Sequence, residues 1–409
     1  MILSLAWRNI WRNKRRTIIT VAAVAFAVFM SALMTSFQSG VWDEVVDGAV
    51  NTYYGYAQIH KNGYWEDQSI ENAMPYGKII AEVPSQIEEI DNLVPRIESF
   101  ALASEGELTS GVLVLGISPN SEDDMTHVSQ KIIEGEYLVE GDNSVIAASG
   151  LTEKLGLSLN DTLILISQGY HGVNAAGKYP IKGIFEFAIP DLNKRLLLMP
   201  ISTAQEFYGA EGLATTIAVD MEDKDDLPEV MTQLKQLVTP NEDYEFMVWQ
   251  ELIPELVEAR EVDEAGGYIT LGILYMLIAF ALFGTILMMT KERRYEFGVL
   301  TAIGMNRFKL FSTVWMETII LGLVGAIVGI LISIPIIYYL NINPIHVSVM
   351  GEDAAAAYEK FGISGHLPTR FDFKIFASQA IIIFLVTSVL ALYPFINIMR
   401  LNPVAAMRD

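Results

Sequence analysis

A chain of 409 residues that is 52% apolar, lacks cysteine and carries a net charge of −22 excludes a disulfide framework, a thiolate metal site and a cysteine-borne lipid anchor. Such an acid excess also repels nucleic acid. The length allows two or three soluble domains, or one domain and a membrane part, and the clustering of the apolar residues favours the second.

Residues 1–16 precede the first long apolar run. Leu3, Trp7, Ile10 and Trp11 recur at helical spacing, with Arg8, Arg12 and Arg15 elsewhere around the helix. This predicts a cytoplasmic interfacial helix with its indoles at headgroup level. A plain basic flank that sets topology is the alternative. Residues 17–37 then run for 21 residues without a charge, and a bilayer takes roughly 20 apolar residues to cross. A cleavable signal peptide has a shorter apolar core and an A-x-A type site after it, so an uncleaved signal anchor is expected. Ala23, Ala27 and Ser31 place small residues every four positions, which lets helices approach closely in lipid.

Residues 38–267 hold 41 acids against 12 Lys or Arg, a net of −29. The rest of the chain sums to +7, so the acidity belongs to this segment alone. The segment reads as mixed α and β, with strands expected at 111–117, 162–167, 179–187, 195–199 and 215–219. Asn160-Asp161 and Gln168-Gly169 read as turns, and 227–238 as an amphipathic helix. Two subdomains are plausible. The segment is long enough to bury a core without disulfides. Glu122, Asp123 and Asp124 read as a solvated acidic loop, a calcium site being the alternative. An acidic helix at 254–264 is expected to form a stalk into the next apolar run.

No catalytic constellation is visible. His60, His127, His171, His346 and His366 form no H-E-x-x-H, and neither a G-x-S-x-G elbow nor a nucleotide-binding P-loop occurs.

Residues 268–290, 311–340 and 375–399 complete a set of four membrane-length segments. Soluble core helices are rarely so long and so free of charge. Glu317 is the one formal charge within them. It either hydrogen-bonds a neighbouring helix or snorkels to the interface. Gly325 and Gly329 form a G-x-x-x-G, with Gly322 one turn earlier. These small residues pack either within one chain or between two chains through spans one and three. A secondary transporter needs polar groups and broken helices around a midplane site, and these spans lack them.

The loop 291–310 carries Lys291, Arg293, Arg294, Arg307 and Lys309. Basic residues also precede residue 17, and Arg400 and Arg408 lie in the tail 400–409. All fall on one side of a four-span topology, which the positive-inside rule makes cytoplasmic. Both termini are then cytoplasmic, and 341–374 is a second extracytoplasmic loop. Within 291–310, Phe297, Leu300, Ala302 and Ile303 are punctuated by Gly298 and Gly304. A short amphipathic helix is expected there, lying across the exit of span two and able to dock on a cytoplasmic partner. A plain interfacial loop is the alternative.

The stretch RRYEFGVLTAIGMNRFKL, followed by WMETIILGLVGAIVG, resembles the signature of FtsX-like ABC-transporter permeases. Glu296, Gly298, Val299, Leu300, Ala302, Ile303 and Gly304 match its E-x-G-[VIL]-x-x-[AL]-[IL]-G segment, and Glu317, Gly325 and Gly329 match the helix that follows. The closing RLNPVAAMRD, with Pro403, Ala406, Met407 and Arg408, and the opening LAWRNIWRNKRRT are similar to the family's two ends. More loosely, 113–122, 145–167 and 179–209 resemble the outer domain of lipoprotein-releasing permeases of the LolC and LolE type. MacB-type efflux permeases share the architecture but carry a fused ATPase domain, which this sequence lacks.

The resemblance implies an α-helical membrane protein with four transmembrane helices and a large mixed α+β extracytoplasmic (periplasmic) domain inserted between helices 1 and 2. It implies a bacterial inner-membrane location and no enzymatic activity of the chain's own. ATP and Mg would be bound by a cytoplasmic ABC ATPase dimer, with no cofactor in this chain. A second permease chain, the same or related, and membrane lipids would be further partners. Tyr295, Glu296, Phe297, Gly298, Leu300, Ala302, Ile303 and Gly304 would couple to the ATPase, and Ala23, Ala27, Ser31, Glu317, Gly322, Gly325 and Gly329 would pack the helices. The outer domains would then move a cargo by mechanotransmission, without passing it through the membrane core. Release of lipoproteins, with a periplasmic chaperone or adaptor, leads the expectations. Efflux of hydrophobic or peptide cargo, or control of a cell-wall hydrolase, stays open. A signalling receptor would carry a cytoplasmic output domain, and the cytoplasmic segments are too short for one.

Overall fold

The computed structural model describes residues 2–187, 189–221, 224–238, 243–350 and 366–407. Arg408, part of the closing motif, lies outside them. The chain divides into two compact units. One comprises Met1–Asp43, Ala259–Val349 and His366–Asp409, the other Glu44–Glu258 and Met350–Gly365.

The first unit is helical. After an N-terminal helix, Ile2–Arg12, come Lys14–Ala49, Pro254–Glu292 and Arg307–Ile342, then Phe373–Leu390 and Leu392–Met399 in series. Among the described residues, four helical runs are long and apolar enough to cross a membrane. The 36 residues of Lys14–Ala49 span about 54 Å at 1.5 Å per residue, well beyond a hydrocarbon core of roughly 30 Å. The first span helix therefore runs on past residue 37, and the second begins at Pro254, where the acidic stalk was expected to lead into it. Charge marks where lipid contact ends, whereas a helix runs until something breaks its hydrogen bonds. For the first the breaker is Gly55, at φ 71° after the π-turn Val50–Tyr54. The second starts at Pro254, where a missing N–H costs nothing. The 38–267 segment thus cuts two helices, and the compact unit is narrower. The last span breaks at Ala391 because Pro394 cannot donate to the carbonyl four residues back.

The glycines pack inside the chain. A Cβ on Gly325 would lie 2.6 Å from Val24 Cβ, and one on Gly329 would lie 2.6 Å from the Ala25 carbonyl oxygen, both on the first span. Gly322 faces Thr387 of the last span. These contacts decide for intramolecular packing of the three glycines rather than a dimer seam. The expected stripe on span one is split. Ala23 faces outward, and Ala27 is buried beside Val24 and Val28. Ser31 hydrogen-bonds the Tyr275 hydroxyl at 2.8 Å, which itself donates to Oε1 of the Gln379 side chain. The N-terminal helix is split too. Ile10 is buried in the bundle, while Trp7 and Trp11 are 48% and 44% exposed and meet edge to face.

The second unit is built on one mixed sheet. In chain order the strands are β1 Ala57–Lys61, β2 Met74–Pro75, β3 Asn92–Glu105, β4 Leu108–Ile117, β5 Ile132–Gly135, β6 Val145–Ala148, β7 Thr162–Gln168, β8 Asn174–Phe185, β9 Leu196–Pro200, β10 Leu213–Ala214, β11 Thr216–Asp220 and β12 Tyr244–Val248. The main path runs β12-β1-β11-β3-β4-β9-β6-β8-β5, with β7 pairing β3 and β8, and β2 pairs β10 separately. The β4–β9 and β6–β8 pairs are parallel and the others antiparallel. Each expected strand is present, and the helix Leu227–Val238 falls where its periodicity placed it. The long β3 pairs β11, β4 and β7 and so joins the two halves of the sheet. Its residues reach separate apolar cores, Leu93 in one and Ile97 and Ala101 in another.

Glu122, Asp123 and Asp124 do not form a solvated loop. They lie on the helix Pro119–Thr126. Glu122 is buried against Arg96, and Asp123 accepts from the Ser129 N–H and hydroxyl, both at 2.7 Å. Paired carboxylates, unlike free ones, tolerate burial.

Candidate coupling site at the basic end of the helical unit

The span-two helix Pro254–Glu292 ends at Arg293, whose backbone (φ −97°, ψ 8°) leaves the helical region. A nine-residue helix, Arg294–Ala302, follows at once. It stops at Ile303, and Gly304 then takes φ 101°, a conformation that a side chain would resist. The Asn306 side chain accepts from Phe308 N at 2.8 Å and so caps the start of Arg307–Ile342. Two consecutive signals, Gly then Asn, turn the chain from one helix into the next.

The short helix has an anchored face and a free face. Phe297 is 2% exposed and packs with Leu310, Val314 and Ile398. A Cβ on Gly298 would meet Ala406 Cβ at 2.9 Å and the Pro403 carbonyl oxygen at 3.3 Å. The closing helix Pro403–Ala406 therefore lies directly against it. Arg307 reinforces this corner by donating to the Leu401 carbonyl at 3.0 Å and to that of Met399. On the free face, Tyr295 is 58% and Ile303 80% exposed, with Leu300, Ala302 and Gly304 also exposed. The apolar face expected from spacing is thus divided. Phe297 and Gly298 turn inward, and the others remain available.

Charges join this helix to its neighbours. Glu296 accepts from Arg12 of the N-terminal helix at 2.8 Å and from Arg293 Nε at 3.1 Å. Partial burial pushes its carboxyl up, but the two guanidinium hydrogen bonds outweigh that and hold it below the usual range. Arg293 Nη1 donates to Glu317 at 2.6 Å, with both residues buried. Arg16 holds Glu292 at 2.7 Å. Glu317 therefore bonds a neighbour rather than snorkelling. Sequence reasoning did not single out Arg12 or Arg293 as partners. The signal was available, because a carboxylate in an apolar span requires a cation within reach.

The FtsX-like permease C-terminal family model matches residues 268–403, which include the short helix and its charges. The MacB-like periplasmic core domain model matches residues 17–237, more than half of the chain. The chain belongs to the FtsX-like, MacB-like family of ABC-transporter permeases. Among its relatives is the lipoprotein-releasing system transmembrane protein LolC of Xylella fastidiosa, 22% identical over 77% of this permease and 76% of that protein. An uncharacterized ABC transporter permease protein of Mycobacterium tuberculosis is 24% identical over 60% of the permease, which spans only 28% of that relative's length. Among solved structures, the periplasmic region of MacB from Actinobacillus actinomycetemcomitans aligns at 17% identity and a TM-score of 0.36, over 49% of the permease and 92% of that chain. The extracellular domain of the noncanonic ABC-type transporter YknZ from Gram-positive bacteria aligns at 13% and 0.35, over 47% and 98%. Family membership implies that an ATPase works with this permease.

Proposed function

We propose that the permease releases lipoproteins from a bacterial inner membrane, by passing the ATP-driven closure of a separate cytoplasmic ATPase dimer through Arg294–Ala302 to the inserted domain. ATP and Mg are then held by the ATPase. Both termini of the permease face the cytoplasm, and a second permease chain, the same or related, completes the assembly. The carrying observation is the division of the short helix. Phe297 and Gly298 fix it to the helical unit, while Tyr295, Leu300, Ala302 and Ile303 stay exposed beside Gly304. A rigidly anchored helix with an apolar tip suits the transfer of movement from a docked partner. The LolC relative supports the cargo class, since the two chains align over three-quarters of each.

The test is copurification of the tagged permease from its native membrane, followed by mass spectrometry of partners and bound lipid. An ATPase together with lipoproteins is the expected result. An ATPase with an efflux adaptor or a wall hydrolase would transfer the reading to efflux or to mechanical control. No ATPase after mild crosslinking would end it.

A further inference from the structure

Arg294–Ala302 is joined to the two spans beside it unequally. Toward span two the helix breaks only at Arg293, and backbone bonds bridge the break: Arg293 N to the Met289 carbonyl and Phe297 N to the Arg293 carbonyl. Toward span three the helix ends in a turn through Gly304 (φ 101°), closed by bonds from Gly304 N to the Thr301 carbonyl and from Met305 N to that of Leu300, and Arg307–Ile342 then starts on its own cap, Asn306. Backbone bonds therefore run through the break into span two, whereas toward span three those of the short helix end at Met305.

Side chains span the joint at Gly304: Phe297 packs against Leu310 and Val314 of span three, and Arg293 adds a charged link. Arg293 is rooted at the break and donates to Glu317 of span three at 2.6 Å. Its Nε holds Glu296 on the short helix at 3.1 Å, and its guanidinium lies 5.3 Å from the Phe297 ring centre. Glu296 in turn holds Arg12. The row Arg12, Glu296, Arg293, Glu317 thus ties the N-terminal helix, the short helix, the break and span three. Glu317 is 1% exposed. A shift of the short helix against span three by about an ångström takes such a contact beyond hydrogen-bond reach. It would leave a carboxylate buried without its cation, which is strongly unfavourable. Span three following the short helix avoids that state.

We propose that Arg293 and Glu317 are positioning residues that make spans two and three move as one body with Arg294–Ala302, locking the Gly304 joint. This rests on the reading of that helix as the ATPase-facing element. The permease has no cysteine, so introduced cysteines are its only thiol labelling sites, and it is labelled before the ATPase is added back. Nitroxides placed at Tyr268 and Tyr338, which are 69% and 54% exposed on spans two and three, measure the distance between those helices. The permease copurified with its ATPase, its labelled chains diluted into an excess of unlabelled permease so that distances within one chain dominate, is measured by double electron–electron resonance, without nucleotide and with ATP plus vanadate.

In the otherwise wild-type permease the distance distribution should be the same in both states. In Arg293→Gln, nucleotide should create a second population, with the ratio of the two shifted at least about fivefold. The ATPase should still copurify and hydrolyse ATP. Arg293→Gln with Glu317→Gln leaves no unpaired charge, so it folds even if the single variant does not, and it should show the same second population. A nucleotide-insensitive distance in the double variant, with ATPase bound and active, overturns the proposal. So does a nucleotide-dependent distance in the wild type. If no ATPase accompanies the wild-type permease, the functional reading fails instead, and the proposal falls with it.

Discussion

The Arg96 guanidinium grips Glu122 at two points, Nε to Oε2 at 2.8 Å and Nη2 to Oε1 at 2.7 Å, with both side chains almost inaccessible. Its remaining nitrogen donates to the Tyr53 carbonyl. The pair fastens the helix Pro119–Thr126 to β3. Removing one partner of a buried pair leaves an uncompensated charge and costs about 3–5 kcal/mol, whereas replacing both by apolar residues of similar volume is often neutral. Glu122→Ala should therefore destabilise strongly, and Arg96→Met with Glu122→Leu and Glu98→Gln, which leaves no carboxylate facing the lost guanidinium, should recover most of the loss. Thermal unfolding of the full-length permease in one detergent measures both. A combined variant as unstable as the single one would show that the helix is held by something else.

A buried histidine and a half-buried aspartate in the same unit give opposing pH dependences. Burial lowers His60 from 6.5 to about 4. A base depressed on folding contributes stability that is present above its unfolded value, and that contribution is lost as pH falls toward 4. Burial, then the charge of Asp91, raises Asp220 from 3.8 to about 6. An acid raised on folding favours the folded state below its unfolded value, and that advantage disappears as pH rises through 6. Between pH 4 and 6 the two slopes offset one another. Asp220→Asn should expose the histidine slope, a loss of about 3 kcal/mol on acidification. His60→Gln should expose the reverse slope, about 1–2 kcal/mol because Asp220 is partly solvated and screened. Denaturant midpoints at several pH values in this window check the signs. Parallel curves for wild type and both variants would refute the assignment.

What the sequence made legible follows a physical rule. Strands with an uninterrupted apolar run, such as those around Leu113 and Leu197, are visible because burial on both faces leaves a continuous signal. β3 was missed because Pro95, Arg96 and Glu98 interrupt its run, and their burial depends on partners elsewhere in the chain, such as Glu122. The short helix was legible from Gly298, Gly304 and its apolar spacing. Which of its residues turn inward was not, because spacing defines a face without saying what covers it. Phe297 and Ile303 look alike in sequence, yet one is 2% and the other 80% exposed, since Leu310 and Ile398 arrive only with the tertiary fold. Glu317 stated a requirement for a cation, and the fold chose Arg293.

Glycine contacts in the spans predict unequal tolerance. A Cβ on Gly329 would lie 2.6 Å from the Ala25 carbonyl oxygen and 2.9 Å from Val28 Cβ, while Gly272 and Gly284 have nothing within 4 Å. Overfilling a packed contact costs about 1–3 kcal/mol. Gly329→Leu should therefore lower thermal stability by that order and separate spans one and three. Gly284→Ala should leave stability unchanged or slightly raised, since glycine inside a helix is worth about 1 kcal/mol less than alanine. Equal effects at the two positions would mean that the Gly329 contact does not hold those spans together.

The division of the short helix separates docking from folding. Ile303 is 80% exposed, so Ile303→Asp removes no internal contact and should shift stability by less than about 0.5 kcal/mol. If the free face meets the ATPase, the same change puts a charge into an apolar contact and should weaken copurification by about 2 kcal/mol or more, roughly thirtyfold. Phe297→Asp should do the reverse of a clean docking variant. It places a carboxylate among Leu310, Val314 and Ile398, and should unfold the corner before any question of binding arises. Thermal unfolding and ATPase recovery, measured on both variants, form a two-by-two comparison. Loss of ATPase in Ile303→Asp at wild-type stability assigns the free face to the partner. Full recovery there would place the ATPase contact on another surface, and the anchored helix would then serve only to hold Pro403–Ala406 in place.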